Sequence, residues 1–192
     1  MTGLELPGFA DPVAEAQGCF RALLDAMARP GTTRAAGAGL AAPPPLDPAT
    51  AATLLTLADA ETALWLDPAA EAACGWIAFH CGARFVAAAN AAHIVAALGL
   101  PDLARCNAGS DEAPETSATV VLQVAALGCG ARYRLSGPGL RVPAVLAVAG
   151  LPPDFASLWR ENHALYPRGV DVVLCAGTAL AALPRSVLIE GL

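Results

Sequence analysis

Lysine is absent from the 192 residues, and all 11 basic residues are arginine. Without a lysine amine, the chain cannot form a Schiff base with pyridoxal phosphate or with a carbonyl substrate. It also cannot contain a P-loop, because that motif places a lysine on the phosphates of a nucleotide. Recognition of a phosphate or a carboxylate must therefore use arginine, backbone N–H groups or helix N-termini.

Charged residues are also scarce, at 15% of the chain, and the net charge is -6. No basic run is present, which excludes the counterion-displacing surface that nucleic-acid binding needs. The low charge has two explanations that the sequence leaves open. Part of the surface packs against partner proteins, or the composition is simply rich in alanine.

Features of export, membrane insertion and metal binding are missing too. The first residues lack the basic and apolar regions of a signal peptide. The longest uncharged runs, 86–101 and 116–131, are 16 residues each and too short to span a bilayer. None of the six cysteines forms a CxxC pair, and the spacing of Cys74, His80 and Cys81 matches no standard zinc site. We expect a cytoplasmic protein with reduced thiols, without a metal and without a membrane contact.

Three Asp-Pro pairs predict helix starts, at Asp11, Asp47 and Asp67, because aspartate caps a helix and proline favours its first position. The first helix should end at "RPG", the second at Leu57 and the third at His80. A fourth helix is predicted for "PPDFASLWRENHAL".

Apolar and β-branched segments predict the strands, with "SATVVLQVAAL" as the clearest. "GCGA" is predicted to connect it to "RYRLSG" as a hairpin, and both G-x-G sequences are interpreted as turns. Further strands are predicted for "TALWL", "HIVAAL", "VPAVLAVAG", "GVDVVLCAG" and "ALAALPRSVLIE". Helices and strands interleave, which predicts one α/β domain, residues 1–192, with a mixed sheet.

Asp171 lies in an otherwise apolar strand, where a carboxylate must be paired or hydrogen-bonded. Arg168 and Arg185 are the candidate partners. His80 and His163 lie at helix ends, where a histidine either complements the helix dipole or takes part in catalysis. Glu112 and Glu115 flank Pro114, where they form either an acid/base pair or a solvated loop.

Six segments, in order between about residues 16 and 187, resemble the PhnH family. Tyr166 departs from the family pattern, where phenylalanine is expected. The segment between Pro30 and Pro48 is unusually rich in glycine, proline and alanine. The six segments are "FRALLDAMARPG", "LLTLADAETALWL", "AFHCGA", "GSDEAPETSATVVLQV", "RLSGPG" and "NHALYPRGVDVVLCAG…LPRS".

The resemblance implies a three-layer α/β/α sandwich similar to pyridoxal-phosphate-dependent transferases, but without the cofactor. It implies a homodimer that assembles with the G, I and J subunits of the carbon–phosphorus lyase system. That system couples a phosphonate to the ribose of a nucleoside triphosphate, and the isolated chain is expected to be inactive. Alternatives are a purely structural assembly subunit of the same complex and a stand-alone thiol or metal enzyme.

An anionic phosphonate or nucleotide is the expected ligand. Arginine and histidine supply positive charge, and glycines allow the backbone to approach a phosphate. No catalytic residue is assigned. The candidate ligand-binding residues are Arg21, Asp59, His80, Glu115, Gly137, Gly139, Arg168, Gly169, Asp171 and Arg185.

Overall fold

A computed structural model describes residues 5–192. It contains four α-helices and ten strands in the described part of the chain, joined by loops and short 3-10 turns. The helices are α1 (Pro12–Ala28), α2 (Pro48–Leu57), α3 (Cys74–Cys81) and α4 (Phe155–Ala164). The strands are β1 (Arg34–Ala35), β2 (Ala63–Leu66), β3 (Arg84–Phe85), β4 (Ile94–Ala97), β5 (Thr119–Gln123), β6 (Ala126–Ser136), β7 (Ala144–Ala149), β8 (Asp171–Ala176), β9 (Ala179–Leu183) and β10 (Leu188–Gly191).

Seven strands form one mixed sheet in the order β1-β9-β8-β5-β4-β2-β3. The strands from β8 to β3 are parallel, and β9 and β1 are antiparallel to their neighbours. The predicted α/β class with a mixed sheet is therefore confirmed. A second, antiparallel sheet of three strands, β10-β6-β7, was not predicted.

Side chains on the two faces of the large sheet belong to two separate hydrophobic cores. In β5, Val121 packs with residues of α1, α2 and α3, whereas Val120 and Leu122 pack with the small sheet and α4. This alternation follows from the two-residue period of a strand, which points neighbouring side chains to opposite faces. Both faces are covered, so the central strands consist of continuous apolar residues.

The predicted helix starts are confirmed, with differences in detail. Asp11 caps α1 by accepting a hydrogen bond from the Ala14 N–H at 3.1 Å. Asp47 precedes α2 but bonds elsewhere, accepting from the Gly177 N–H at 2.8 Å. Asp67 accepts from the Ala69 N–H at 2.9 Å, although a 3-10 turn follows it and α3 begins only at Cys74.

The predicted "GCGA" hairpin is wrong. Residues 126–136 form one strand, β6, whose pairing with β7 shifts between Leu127 and Ala131. Gly130 has φ +90°, and a Cβ there would lie 2.6 Å from the Val148 carbonyl oxygen. Glycine is needed because the bulge brings two backbones together, and a G-x-G spacing alone does not distinguish a bulge from a turn.

The segment "ALAALPRSVLIE" likewise forms two strands rather than one. β9 ends at Leu183 in the large sheet, and β10 begins at Leu188 in the small sheet. Proline at 184 lacks the N–H that a continued ladder would require, which favours the break. Within residues 5–192, no helix combines the length and the apolar character that crossing a bilayer requires.

Candidate functional site

Asp171 and Arg185 form a bidentate ion pair at one end of the large sheet. The Arg185 Nη2 donates to Asp171 Oδ2 at 2.6 Å, and Nε donates to Oδ1 at 3.2 Å. The Arg185 backbone N–H also donates to Oδ1, at 2.7 Å. The side chains are only 16% and 21% exposed. The prediction that Asp171 requires an arginine partner is confirmed, and Arg185 is that partner.

The same arginine also holds a neighbouring loop. Its Nη1 donates to the Pro114 carbonyl oxygen at 2.8 Å. All three guanidinium nitrogens of Arg185 thus donate hydrogen bonds to this chain. Three segments meet here, residues 107–117, 162–171 and 184–187, and we call this region the polar junction.

The Arg168 side chain lies at the solvent-exposed edge of the polar junction, beside Asp111. Its Nε lies 2.9 Å from Asp111 Oδ1, but the atoms are not aligned as a hydrogen bond. The two side chains are 38% and 82% exposed, so the pair is screened by water and contributes little stability. The neighbouring Gly169 donates its N–H to the Ala108 carbonyl oxygen at 2.9 Å.

Two residues of α4 complete the polar junction. Asn162 is 5% exposed, and its amide accepts from the Val170 N–H at 2.8 Å and donates to the Val170 carbonyl at 3.0 Å. His163 Nδ1 lies 2.8 Å from the Arg185 carbonyl oxygen. The role of Asn162 is not visible in the sequence, because one asparagine in the last turn of a helix has the pattern of an exposed polar residue.

The polar junction lies at the amino ends of the parallel strands. Asp171 and Thr119 are register partners at the start of β8 and β5. Ligands of open α/β sheets bind instead outside the carboxyl ends, where the strand order reverses. Five candidate residues belong to this region, and the hydrogen bonds of three of them, Gly169, Asp171 and Arg185, join segments of the chain to one another. These five residues are Glu115, Arg168, Gly169, Asp171 and Arg185.

The two candidate glycines of the β6–β7 turn, Gly137 and Gly139, lie close to the backbone of other segments. Gly137 has φ +126°, and a Cβ there would lie 3.1 Å from the Ser186 carbonyl oxygen. At Gly139 a Cβ would lie 2.5 Å from the Ala28 carbonyl oxygen. Both positions require glycine because of close packing between the turn and its neighbours.

The remaining candidates lie in other parts of the fold. Arg21 is exposed on α1. His80 Nε2 lies 3.2 Å from the Leu6 carbonyl oxygen, which also accepts from the Trp76 indole at 2.9 Å. Asp59 accepts from Thr62 Oγ1 at 2.7 Å and from the Glu61 N–H at 3.0 Å, and these bonds lower the pKa of its carboxyl. The predicted set is thus not one site.

The thiols do not form a reactive or metal-binding cluster in the part of the chain that the structure describes. Burial raises the pKa of Cys175 to about 12 and of Cys81 to about 11. Burial, and then the charge of Asp102, raises the pKa of Cys106 to about 11. These groups are protonated at neutral pH and behave as small apolar side chains.

Two cavities lie on the two sides of segment 101–104. The first has a volume of about 510 Å³, and Trp65, Asn90 and Arg105 are among its lining residues. The second has a volume of about 490 Å³ and lies against α4, with Asp154 and Glu161 in its wall. None of the residues proposed from the sequence lines the first cavity.

Comparison with known proteins identifies the family. Residues 7–190 match the family model described as bacterial phosphonate metabolism protein (PhnH). The chain belongs to the PhnH family. The resemblance inferred from the six sequence segments is therefore confirmed, and the match extends beyond both ends of the region that they span.

Two curated proteins are similar to this PhnH-family chain. The alpha-D-ribose 1-methylphosphonate 5-triphosphate synthase subunit PhnH of Rhizobium meliloti (strain 1021) is 41% identical over 187 residues, which cover 95% of this chain and 94% of that protein. The putative C-P lyase subunit protein HtxG of Stutzerimonas stutzeri is 43% identical over 82 residues, which cover 43% of this chain and 42% of that protein.

Proposed function

We propose that this chain is a subunit of an alpha-D-ribose 1-methylphosphonate 5-triphosphate synthase within a carbon–phosphorus lyase system. The observation that carries the proposal is the 41% identity to a protein of that name over nearly the full length of both chains. The match of residues 7–190 to a family of phosphonate metabolism proteins agrees with it.

The proposed reaction joins a phosphonate oxygen to C1 of the ribose of a nucleoside triphosphate. The N-glycosidic bond breaks, the base leaves and takes up a proton, and the 5-triphosphate is retained. This is a substitution at carbon, in which the assembled synthase must hold two anionic substrates close together. Arginine is the only cationic side chain besides histidine that this chain can contribute.

A second candidate function, a structural assembly subunit, is favoured by the polar junction. Each guanidinium nitrogen of Arg185 donates a hydrogen bond to Asp171 or Pro114, so this arginine stabilises the fold rather than facing a ligand. On this hypothesis, the other subunits perform the chemistry. Removing the charge of exposed Arg21 would then leave growth on a phosphonate unchanged, and loss of growth with normal complex assembly would contradict it.

We propose further that the chain acts as a cytoplasmic homodimer bound to the G, I and J subunits. Exposed apolar side chains on α1 support a docking role, because Val13, Phe20 and Leu24 are 69%, 46% and 54% exposed. Their spacing places them along one face of the helix. Light scattering of the purified chain and a pull-down with its own G, I and J subunits test the dimer and the complex.

A fold similar to pyridoxal-phosphate-dependent transferases, with three α/β/α layers and no cofactor, is part of this proposal. Helices α1, α2 and α3 on one face of the sheet and α4 on the other support it. The missing lysine supports operation without a pyridoxal phosphate Schiff base. Superposition of an experimental structure on such transferases would test the layer order, and an absorbance spectrum would test the cofactor.

Genetic complementation tests the function. A bacterial strain that lacks its own H subunit would carry this gene and grow on methylphosphonate as sole phosphorus source. Growth with the gene, and none with the empty vector, is the expected result, while both strains grow on phosphate. If the soluble chain fails to restore growth even together with its own G, I and J subunits, the proposal is wrong.

A further inference from the structure

The cavity beside Trp65 is built mostly from small residues. Its volume of about 510 Å³ is within the range of roughly 300–1,000 Å³ that is typical of small-molecule sites. Alanines at 87, 88, 89 and 104 line it, and their short side chains leave room beside the half-buried indole. Flat ring systems pack well against an indole face, so the cavity suits an aromatic ligand.

The polar groups of this cavity suit an anion. Arg105 and Asn90 are exposed in the wall, and Arg105 takes part in none of the four ion pairs of residues 5–192. The Cys106 thiol is protonated and adds no negative charge. Asp102 is the only carboxylate in the lining, and its Oδ1 accepts the Ala104 N–H at 3.1 Å.

Two other cavities are acidic. The cavity against α4 is lined by Asp102, Asp154 and Glu161 and by no arginine. A cavity of about 300 Å³ at the end of β2 is lined by Asp67 and Glu71, also without an arginine. An anionic ligand is therefore disfavoured in these two cavities, whereas Arg105 balances Asp102 in the Trp65 cavity and offers the ligand a cationic partner.

The Trp65 cavity lies beside the point where the strand order of the large sheet reverses. From β2 the chain moves outward to β3 and then returns to β4 on the other side of β2, so the strand order reverses at β2. The cavity is lined by residues 87–90, which follow β3, and by residues 101–106, which follow β4. The reversal sends these two connections to opposite sides of β2, and the cavity lies between them.

We propose that this cavity binds a nucleoside triphosphate, with the base against Trp65 and the phosphates at Arg105. The choice of this ligand class rests on the proposed function, because the synthase reaction consumes a nucleoside triphosphate. The cavity itself rests on the lining residues and on its place in the sheet. Asn90 can donate and accept hydrogen bonds at the edge of the base or at the ribose.

Tryptophan fluorescence tests the proposal directly. Trp76 and Trp159 are 1% and 0% exposed, so Trp65 is the only one of the three indoles that a ligand can reach without unfolding. Titration of the full chain with ATP, excited at a wavelength that adenine does not absorb, should quench the Trp65 signal to saturation. Adenosine and inorganic triphosphate, titrated separately, should each bind at least about tenfold more weakly than ATP, because each makes only part of the contacts.

Variants assign the binding to this cavity. Arg105→Gln should weaken ATP binding by about 10- to 100-fold, the range expected for losing a hydrogen bond between charged groups. Arg160→Gln, an exposed arginine of α4, should leave it unchanged. Trp65→Phe should bind ATP in calorimetry but abolish the fluorescence change, whereas Trp65→Ala should weaken binding. Equal binding of ATP and inorganic triphosphate, or equal loss with both arginine variants, overturns the proposal.

The binding result is separable from the growth test. If the gene restores growth but the protein shows no saturable ATP binding at millimolar concentrations, the cavity proposal is wrong and the proposed function stands. If ATP binds with the expected arginine dependence but growth is not restored, the site stands and the proposed function fails.

Discussion

Asp171 accepts three hydrogen bonds from Arg185, one from its backbone N–H and two from its guanidinium. Asp171 begins β8, and Arg185 lies two residues beyond the end of the antiparallel strand β9. The pair therefore joins the two strands at the open end of the β8–β9 hairpin, where β8 begins and β9 ends. It also holds residues 107–117 through the Pro114 carbonyl oxygen.

Replacing Arg185 by methionine should destabilise the protein substantially. The change leaves the Asp171 carboxylate largely buried without its partner, which costs roughly 3 kcal/mol in the free energy of unfolding. The value is at the lower end of the range for buried pairs because both side chains keep some contact with water. Urea denaturation monitored by circular dichroism measures it.

Two controls make this result specific. Arg160→Met, at an exposed position on α4, should change the free energy of unfolding by less than about 0.5 kcal/mol. Adding Asp171→Asn to Arg185→Met should recover part of the lost stability, since the unpaired charge is gone. A loss below about 1 kcal/mol in the single variant would show that the pair is not a stabilising element of the polar junction.

Alanine at two glycines should have opposite effects. Gly169 has φ +104°, and a Cβ there would lie 2.9 Å from the Asn162 carbonyl oxygen, so Gly169→Ala should cost about 1–3 kcal/mol. Gly18 lies inside α1 with no atom near its Cβ position, so Gly18→Ala should add roughly 0.5–1 kcal/mol. Thermal unfolding of the two variants measures the sign of each change in stability. A Gly169→Ala variant that is more stable than the parent would contradict the backbone geometry.

The six thiols should differ in alkylation rate. Cys129 is exposed in the β6 bulge, whereas Cys19, Cys106 and Cys175 are buried and have raised pKa values. Iodoacetamide reacts with the thiolate, so Cys129 should be modified first at pH 8. Mass spectrometry of the digested protein would locate the label, and all six sites should react in urea. Labelling of Cys175 in the folded protein as fast as Cys129 would be inconsistent with this core.

Stability should fall in alkaline solution because of Cys175. Its pKa is raised by burial from 9.0 to about 12, so between these values the unfolded chain loses a proton that the folded chain keeps. Below pH 9 both states are protonated and the thiol contributes no pH dependence. Above it, the free energy of unfolding should decrease by roughly 1.4 kcal/mol per pH unit for this thiol.

The slope, rather than the absolute stability, identifies the group. Cys175→Ala should be less stable at pH 7 because it leaves a cavity, but its stability should decline less steeply above pH 9. Urea denaturation at intervals between pH 8 and pH 11 gives both curves. Parallel curves for the two proteins would mean that Cys175 does not titrate as its burial predicts.

Helix starts and the apolar central strands were predictable because their causes are local. An Asp-Pro pair fixes the first turn of a helix, and a β-branched run fixes a strand buried on both faces. The division of strands between two sheets was not predictable in this way. β6 pairs with β7 and β10 in a separate sheet that packs against α4. This packing involves residues that are far apart in the sequence.

Contacts within the candidate site were predictable from the sequence only where the chemistry of one residue requires a partner. A carboxylate in an apolar strand requires a partner, and this led to Arg185. Trp65, Asn90 and Arg105 have no such requirement, and nothing in the surrounding sequence of each one indicates a ligand site. They come together because β3 and β4 lie on opposite sides of β2, and this order is not visible in the sequence.

The last strand has a consequence for folding during synthesis. β10 pairs with β6, its Ile189 packs in the second core, and the preceding Val187 carbonyl accepts the indole N–H of buried Trp159. The ribosome makes all of these partners before it makes β10. The nascent chain therefore leaves part of the apolar side of β6 and α4 uncovered until β10 has been made, and chaperones can bind this surface during that interval.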